Sequence, residues 1–305
     1  MEPRAPLVSI ITATYNRGNV LCYTIAGVRR SRFTDWEMIV VGDACTDDTE
    51  ERVASFNDSR IRFFNLEKNF GDQGGPNNEG LRHARGRYVA YLSHDDLWSP
   101  DHLQTALTGI EESGADLVFT LGIAVSAGNS NQLLGAVPSD CYQPIITIPA
   151  SLWMARRELL VEIGPWKHPR ECYVSPSQDL LLRAWRAGKK IRRIPKPTVI
   201  AIQAGSRPGV YARREFEEDR AYFERMRDEA DFWEKELLNI ALHRSISSED
   251  LLTGAHFRRG IINLLKRIGV KFGIAPVELV GYLLYRRKGG FINSWRRRIG
   301  LSKLD

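Results

Sequence analysis

The sequence has 305 residues, 43% hydrophobic and 26% charged, so it can bury a sizeable core and has the composition of a globular protein. Its net charge of +6 is uneven, because residues 245–305 contain 12 Lys and Arg against 4 Asp and Glu. No apolar run approaches the roughly 20 residues that cross a bilayer. No secretory signal is recognisable, and the four cysteines form no CxxC pair, so we expect a cytoplasmic protein with reduced thiols.

The N-terminal half alternates predicted strands and helices. Strands are predicted at 7–16, 38–41, 61–66 and 88–93, with helices at 20–28, after Thr46 and around 81–84. Helical crossovers of this length indicate a mainly parallel sheet. Polar residues follow three of the strands, and carboxyl ends of parallel strands share one crevice. The pattern therefore predicts a nucleotide site at this edge.

Two adjacent carboxylates, Asp95 and Asp96, follow the fourth predicted strand. They repel each other and lose solvation unless a cation lies between them. Mg²⁺ favours oxygen ligands and shares them with substrate phosphates, so a metal–diphosphate site is one interpretation. The other is that one of the two acids caps the helix that begins near Ser99 and Pro100.

Four motifs occur in the order and spacing of a known family: VSIITATYNR, WEMIVVGDACTDDT, the glycine-rich NFGDQGG and NNEGLRHARGRYVAYLSHDD. Over residues 6–202 the chain resembles glycosyltransferase family 2, whose members transfer a sugar from a nucleotide diphosphate donor with inversion. The resemblance implies an α/β GT-A-type nucleotide-binding fold with a mainly parallel central sheet. We expect a catalytic domain at 1–210 and a helical C-terminal region at 211–305.

The resemblance also implies roles for individual residues. Asp43 should accept a hydrogen bond from the base, Asp95 and Asp96 should hold Mg²⁺ or Mn²⁺ on the diphosphate, and Asp179 should be the general base. The full expected donor site comprises Thr14, Tyr15, Asn16, Arg17, Asp43, Asn69, Gly71, Asn78, His94 and Asp95. A first-turn acid with a purely structural role is the alternative for Asp179.

The chain also departs from the family pattern. Gly42 and Ser93 replace acids, and Gln178 replaces the acidic neighbour of the base. The segment 76–78 lacks the family's basic residue. The stretch 200–211 lacks the His or acid that many GT-A enzymes use as a further metal ligand, and we expect its lone basic residue, Arg207, to clamp the diphosphate instead. On the acceptor side we expect Gln178, with Trp153 and Trp166 as sugar-stacking platforms; core packing is the alternative for both rings.

The C-terminal region is helical and basic. An apolar stripe at 216–240 predicts packing on the catalytic domain or a second subunit, so a homo-oligomer is possible. Residues 255–298 alternate apolar and basic side chains, which favours an anionic membrane surface. We expect an anchor separate from the nucleotide site. Nucleic acid is disfavoured because no binding module accompanies the charge, and a solvated helical cap is the remaining alternative.

Together these features predict an inverting glycosyltransferase of polysaccharide biosynthesis, acting on a glycan or lipid-linked acceptor as a peripheral protein of the cytoplasmic membrane face. A degenerate GT-A scaffold that binds nucleotide without turnover is the alternative, because Gly42 and Ser93 replace acids. A sugar nucleotidyltransferase would need a glycine-rich, basic loop after the first strand, where the chain has TYNR. A dinucleotide dehydrogenase is disfavoured because no GxGxxG follows that strand.

Overall fold

A computed structural model describes residues 4–126, 131–137, 139–203, 218–247 and 268–304. The structure does not describe three predicted features, namely Arg207, the domain boundary at 210 and the basic segment 255–267.

The described strands form one mixed sheet in the order β3-β2-β1-β4-β8-β6-β9-β5, with β7 paired to β6. The first four strands in this order are parallel, as Val8 pairs with Trp36 and with Tyr88. The strands are β1 Val8–Thr14, β2 Trp36–Gly42, β3 Ile61–Asn65, β4 Tyr88–Tyr91, β5 Leu97–Trp98, β6 Leu117–Val125, β7 Gln132–Leu134, β8 Trp153–Arg156 and β9 Ile191–Ile202.

Helices connect the parallel strands and cover the sheet. They are α1 Gly18–Arg29, α2 Thr49–Ala54, α3 Gly74–His83, α4 His102–Ser113, α5 Arg157–Ile163, α6 Pro176–Arg186, α7 Glu218–Asp228, α8 Phe232–Ser247, α9 Pro276–Tyr285 and α10 Gly290–Arg298. Every residue of β2 is buried, because helices cover the sheet, and its one charged residue, Glu37, is paired with Arg85. No helix among the described residues is long and apolar enough to cross a membrane.

Helix α3 begins at Gly74, inside the segment that the sequence presents as a glycine-rich loop. The expectation of a helix only around 81–84 was too short. Gly80 has a packing role, since a Cβ atom there would lie 2.4 Å from Cγ2 of Ile11 in β1. The absence of a side chain at Gly80 therefore lets α3 pack close to the sheet, and the segment 69–73 that precedes the helix is positioned with it.

The C-terminal helices pack on the catalytic fold in two places. Phe223, Met226 and Phe232 of α7 and α8 join an apolar cluster with β5, β6 and β9, as the stripe predicts, although the helix is interrupted at 229–231. Further along, the Val277 amide donates to the Pro144 carbonyl at 3.2 Å. Helices α9 and α10 are thus held against segments of the catalytic fold that precede α6 along the chain.

Candidate active site

A cavity of about 720 Å³ lies where β1, β2 and β4 end. Its walls come from strand ends, from the segment 69–77, from the start of α6 and from α10 with the residues that follow it. Lining residues include Thr14, Tyr15, Asp43, Asn69, Gly71, Asp72, Ser93, His94, Asp95, Asp96, Ser151, Ser175, Ser177, Gln203, Trp295, Arg296 and Arg298. Three strand ends therefore meet at one crevice, as the parallel topology requires.

Asp43 organises the loop that faces it. Its Oδ1 accepts from the Phe70 amide at 2.6 Å and its Oδ2 accepts from the Gly71 amide at 2.9 Å. Asn69 donates to the Asp43 carbonyl at 2.9 Å. Burial raises the pKa of Asp43, against the opposing effect of the two amides and of the Arg296 guanidinium. Each carboxylate oxygen keeps a second lone pair for a ligand N–H.

Asp72 is a cavity acid that the sequence analysis missed. Its Oδ1 accepts from the Gly74 amide at 2.8 Å, at the start of α3. Burial, aided by the nearby Asp43 carboxylate and opposed by the Gly74 hydrogen bond, raises the pKa of Asp72 to about 6. An acid two residues before a pair of glycines that begins a helix was the available signal.

Asp96 is built into the cavity floor. Its Oδ1 accepts from the Ile202 amide at 3.0 Å, and the Ser151 hydroxyl donates to its Oδ2. The same hydroxyl oxygen accepts from the Ser93 amide at 3.1 Å. Burial and the neighbouring Asp95 carboxylate raise the pKa of Asp96 well above its ordinary value. Both oxygens therefore have partners in the fold, and Asp96 also lines the cavity, so its role as a metal ligand stays a prediction.

His94 has a defined tautomer. Its Nδ1 lies 3.2 Å from the Ala13 carbonyl, which can only accept, so this nitrogen carries the proton. Thr24 of α1 donates to the His94 carbonyl at 2.8 Å and fixes the backbone. Burial lowers the pKa of His94, against the attraction of Asp95, whose Oδ2 is 3.8 Å from Nε2. A neutral ring therefore stands beside the Asp95 carboxylate.

The residues present fit a divalent metal ion whose remaining ligands are supplied by a substrate. Asp95 lines the cavity at 7% exposure, and Ser93 lies on the same wall. Among the described residues no group of three or more His, Cys, Asp and Glu could hold a metal by itself. Mg²⁺ is commonly bound by one or two carboxylates together with substrate phosphates. Asp95 is thus the protein carboxylate that would hold it. Neither Asp95 nor Asp96 caps α4, whose N-cap residue is Asp101.

Three expected donor residues support the walls instead of lining the cavity. The Asn16 side chain accepts from the Thr46 amide at 2.8 Å. Arg17, at 3% exposure, precedes α1 as its N-cap residue. Asn78 accepts from the Trp166 amide at 2.8 Å and donates to its carbonyl at 3.0 Å. Local hydrogen bonds and burial hold these three side chains away from the cavity lining, which corrects the three expectations.

The acceptor-side residues are also internal. Trp153 and Trp166 are 0% and 2% exposed, and their rings lie 6.3 Å apart. Gln178 is 1% exposed, accepts from the Ile148 amide at 3.2 Å and donates to the Tyr142 hydroxyl. None presents a face to a sugar, so these expectations were wrong. Both tryptophans belong to the hydrophobic core, the alternative that the sequence left open.

Asp179 lies in α6, just beyond Ser175 and Ser177, which line the cavity; it is not itself among the lining residues. Its Oδ2 is 2.8 Å from Nε of Arg183 and its Oδ1 is 3.7 Å from Nζ of Lys167. Ser175, and not Asp179, caps the helix by accepting from the Gln178 amide at 3.4 Å. The carboxylate therefore has a structural partner in Arg183.

Helix α10 is the main element that sequence reasoning missed. Arg296, at 7% exposure, donates to the Gly71 carbonyl and, at 2.7 Å, to the Ser302 carbonyl. A Cβ atom on Gly71 would meet Leu304 at 2.3 Å. The C-terminal region thus contacts the segment 69–77 and lines the cavity, whereas the sequence led us to expect an anchor separate from this site.

Comparison with known proteins agrees with this architecture. Residues 9–157 match the model of glycosyl transferase family 2. Residues 9–157 belong to that family. The putative teichuronic acid biosynthesis glycosyltransferase TuaG of Bacillus subtilis is 38% identical over 117 residues, 38% of this chain and 46% of that protein. The glucosyltransferase WfgD of Escherichia coli is 34% identical over 113 residues, 37% and 44% of the two chains.

The matches cover less than half the length of both relatives. Among solved structures, Staphylococcus aureus TarS 1–349 with UDP-GlcNAc has a TM-score of 0.55 at 21% identity, over 64% of this chain and 58% of that chain. The mannosyltransferase PcManGT of Pyrobaculum calidifontis, with GDP-Man and Mn²⁺, has a TM-score of 0.54 at 16% identity, over 96% and 87%. These likenesses show a GT-A fold.

Proposed function

We propose that the protein is an inverting glycosyltransferase of polysaccharide biosynthesis, which transfers a sugar from a nucleotide diphosphate donor to a glycan or lipid-linked acceptor. The observation that carries the proposal is that one cavity holds Asp43, with its ordered loop, and Asp95. Relatives support the context: TuaG is named for teichuronic acid biosynthesis and ExoO of Rhizobium meliloti for succinoglycan biosynthesis.

In the proposed donor complex, Asp43 accepts from a ring N–H of the base through a lone pair that its two backbone partners leave available. Thr14 and Tyr15 line the same part of the cavity. Asp95 would hold Mg²⁺ or Mn²⁺, which when bound supplies a Lewis acid for the charge on the departing diphosphate. Asp96, Ser151 and Thr24 keep the Asp95 backbone in place through the contacts described above.

For the acceptor step, Asp179 takes the proton of the attacking hydroxyl as the general base. Helix α6 supports this assignment, because its first residues line the cavity and its N-terminal end points there. Attack from the face opposite the diphosphate inverts the anomeric centre. Arg183 orients the carboxylate through Oδ2 at 2.8 Å, so the acceptor proton would go to Oδ1, which lies 3.7 Å from Nζ of Lys167.

The proposal includes a peripheral site on the cytoplasmic membrane face. Helix α9 exposes apolar side chains and is followed by Arg286, Arg287 and Lys288. Leu283 and Leu284 are 61% and 68% exposed. Apolar residues beside basic ones are typical of surfaces that bind anionic lipid, where a lipid-linked acceptor would be presented.

The test is a panel of UDP- and GDP-sugars incubated with lipid-linked or glycan acceptors, with and without Mn²⁺, scored for nucleotide diphosphate release and glycan product. We expect acceptor-dependent release for one donor, stimulation by Mn²⁺, and loss of that stimulation in Asp95→Asn. Inversion is read from the anomeric configuration of the product. Nucleotide binding without turnover for every donor and acceptor would favour the degenerate scaffold and overturn the proposal.

A further inference from the structure

Helix α10 forms one wall of the cavity that the proposed function assigns to the donor. Its contribution continues beyond the helix, so a C-terminal segment faces the carboxyl ends of the first strands. The lining residues of this wall are Phe291, Ile292, Trp295, Arg296, Arg298, Leu301 and Ser302.

The two arginines on this wall differ in what they contact. Arg296 is buried and hydrogen-bonded to the Gly71 and Ser302 carbonyls. Arg298 is exposed, and within the described part of the chain it makes no ion pair or side-chain hydrogen bond. Of the described residues that line the cavity, these two are the only Lys or Arg. Arg298 is therefore a cavity cation whose guanidinium is available to a ligand.

The rest of the cavity needs such a cation. Asp43, Asp72 and Asp95 line it with acidic groups. The segment where the family carries a basic residue is Pro76-Asn77-Asn78, and its Pro76 and Asn77 lie on the wall without charge. A diphosphate entering this space brings further negative charge, and one metal on Asp95 neutralises only part of the total.

We propose that α10 completes the donor site, with Arg298 binding the diphosphate of the nucleotide donor and Arg296 positioning the loop that Asp43 orders. A guanidinium binds phosphate oxygens through two parallel N–H donors, which suits a diphosphate held at the cavity mouth. Arg296 acts differently: its bond to the Gly71 carbonyl lies on the residue whose amide donates to Asp43. The inference rests on the proposed donor function and adds the residues that bind it.

The chain offers a matched control. Arg297 is exposed on the same helix, next to Arg298, and is not among the residues that line the cavity. Arg297→Gln and Arg298→Gln remove the same charge from adjacent positions. A membrane role for these arginines would affect both variants alike, whereas a diphosphate role affects Arg298 alone.

The experiment is calorimetric titration of the full chain and both variants with UDP and GDP, and with uridine and guanosine as phosphate-free probes, at fixed salt and Mn²⁺. We expect Arg298→Gln to weaken diphosphate binding by about tenfold or more, the range of a lost charge-assisted hydrogen bond. Nucleoside binding should be unchanged. Arg297→Gln should stay within about twofold of wild type, and Arg298→Lys should recover part of the loss.

A second variant tests the positioning role. Arg296→Gln should weaken nucleoside and nucleoside diphosphate alike, because the loop around Gly71 loses its support. Thermal melting of each variant checks that it is folded. Equal diphosphate affinity for Arg298→Gln and Arg297→Gln would overturn the inference and leave the proposed function standing. A folded wild-type protein that binds neither diphosphate would overturn both.

Discussion

The four aspartates that line the cavity differ in their hydrogen-bond partners, and these partners determine the role that each carboxylate can have. Asp96 has both oxygens occupied by Ser151 and the Ile202 amide, so it supports the floor. Asp43 has both oxygens on backbone amides of the donor loop. Asp72 has one such amide, from Gly74. Asp95 lines the cavity beside His94 and is the carboxylate that we propose for a metal.

Packing explains why glycine occupies position 42, where the family often has an acid. A Cβ atom there would lie 2.5 Å from Oδ1 of Asn65 and 3.1 Å from Sγ of Cys45. Asn65 is itself needed, since it accepts from the Cys45 amide at 2.8 Å. Packing against Asn65 and Cys45 therefore explains the glycine, which weakens the missing acid as an argument for a degenerate scaffold.

Asp179→Asn tests the proposed base. The amide can still accept from Arg183, so the helix and its partner should be retained while basicity is lost. A general base contributes about 10²–10⁴-fold in rate, so turnover should fall by that order with donor affinity and melting temperature near wild type. The measurements are product formation, nucleotide titration and thermal melting.

Arg183→Gln is the control for this test. It breaks the Asp179 pair and the bonds from Arg183 to the Ile163 and Pro165 carbonyls, but leaves the carboxylate. If the loss in Asp179→Asn comes from missing basicity, Arg183→Gln should keep substantially more activity despite a lower melting temperature. Equal loss of activity in both variants would assign Asp179 a structural role.

Asp72 gives a prediction about pH. Its folded pKa of about 6 lies above the ordinary value near 3.9, so the folded protein binds this proton more tightly than the unfolded chain. Its contribution to the free energy of unfolding therefore falls as pH rises from about 4 to about 6 and remains low above that. Asp72→Asn should be more stable than wild type at pH 7.5, with the difference vanishing near pH 4. Denaturant unfolding across this range checks it; a constant difference would contradict the assignment.

At the scale of elements, the strands were the most predictable part. Strands β1 to β4 are short, β1, β2 and β4 are mostly buried, and the structure confirms each of the four within a few residues of its predicted ends. Helix α3 was only partly predicted because its first turns contain glycine and proline in place of an apolar stripe. Close approach to β1, which no local pattern records, explains that composition.

Gly80 and Gly27 test this explanation, because both lie inside helices with different surroundings. A Cβ atom at Gly80 would lie 2.4 Å from Ile11, whereas at Gly27 the nearest atom is the Trp98 carbonyl oxygen at 3.8 Å. Gly27→Ala should therefore stabilise by about 0.5–1 kcal/mol, the ordinary helix preference for alanine. Gly80→Ala should destabilise by about 1–3 kcal/mol through overpacking.

Denaturant unfolding of the two alanine variants measures both values. A stabilised Gly80→Ala protein would mean that α3 can move away from β1 at little cost, and the proposed packing role of the glycine would be incorrect.

At the scale of the whole molecule, some residues of the candidate site were predictable from the sequence and others were not. Asp43, His94 and Asp95 were predictable because each follows a strand within a local motif. Arg296 was not, because its contact with Gly71 joins residues 225 positions apart. The basic run at 296–298 gave a visible signal, but charge alone does not say whether a helix faces lipid, solvent or a cavity.

Membrane binding is best tested by point substitution, since removing the C-terminal region would also remove a wall of the cavity. Leu283→Glu with Leu284→Glu should weaken binding to vesicles containing anionic lipid by about tenfold or more, as two exposed apolar side chains lose their lipid contact. Nucleotide titration should be unchanged. Vesicle sedimentation of the full chain provides the measurement.

The matched pair is Leu238→Glu with Leu242→Glu on α8, two leucines that are 58% and 51% exposed. These substitutions should leave vesicle binding near wild type. Equal losses from the two pairs would contradict a docking surface on α9, and salt-insensitive binding would contradict the role of the adjacent basic residues.

The bond between Arg296 and Gly71 has a consequence for synthesis on the ribosome. The strands that carry Asp43 and Asp95 emerge early, and a nascent domain begins to fold before the rest of the chain is made. The wall contributed by α10 is added only after more than two hundred further residues have been translated. A truncated product would present an open, acidic crevice in place of a complete pocket. Completion of the polypeptide would then be a precondition for capturing a sugar nucleotide, so prematurely terminated chains would not compete with the enzyme for its donor.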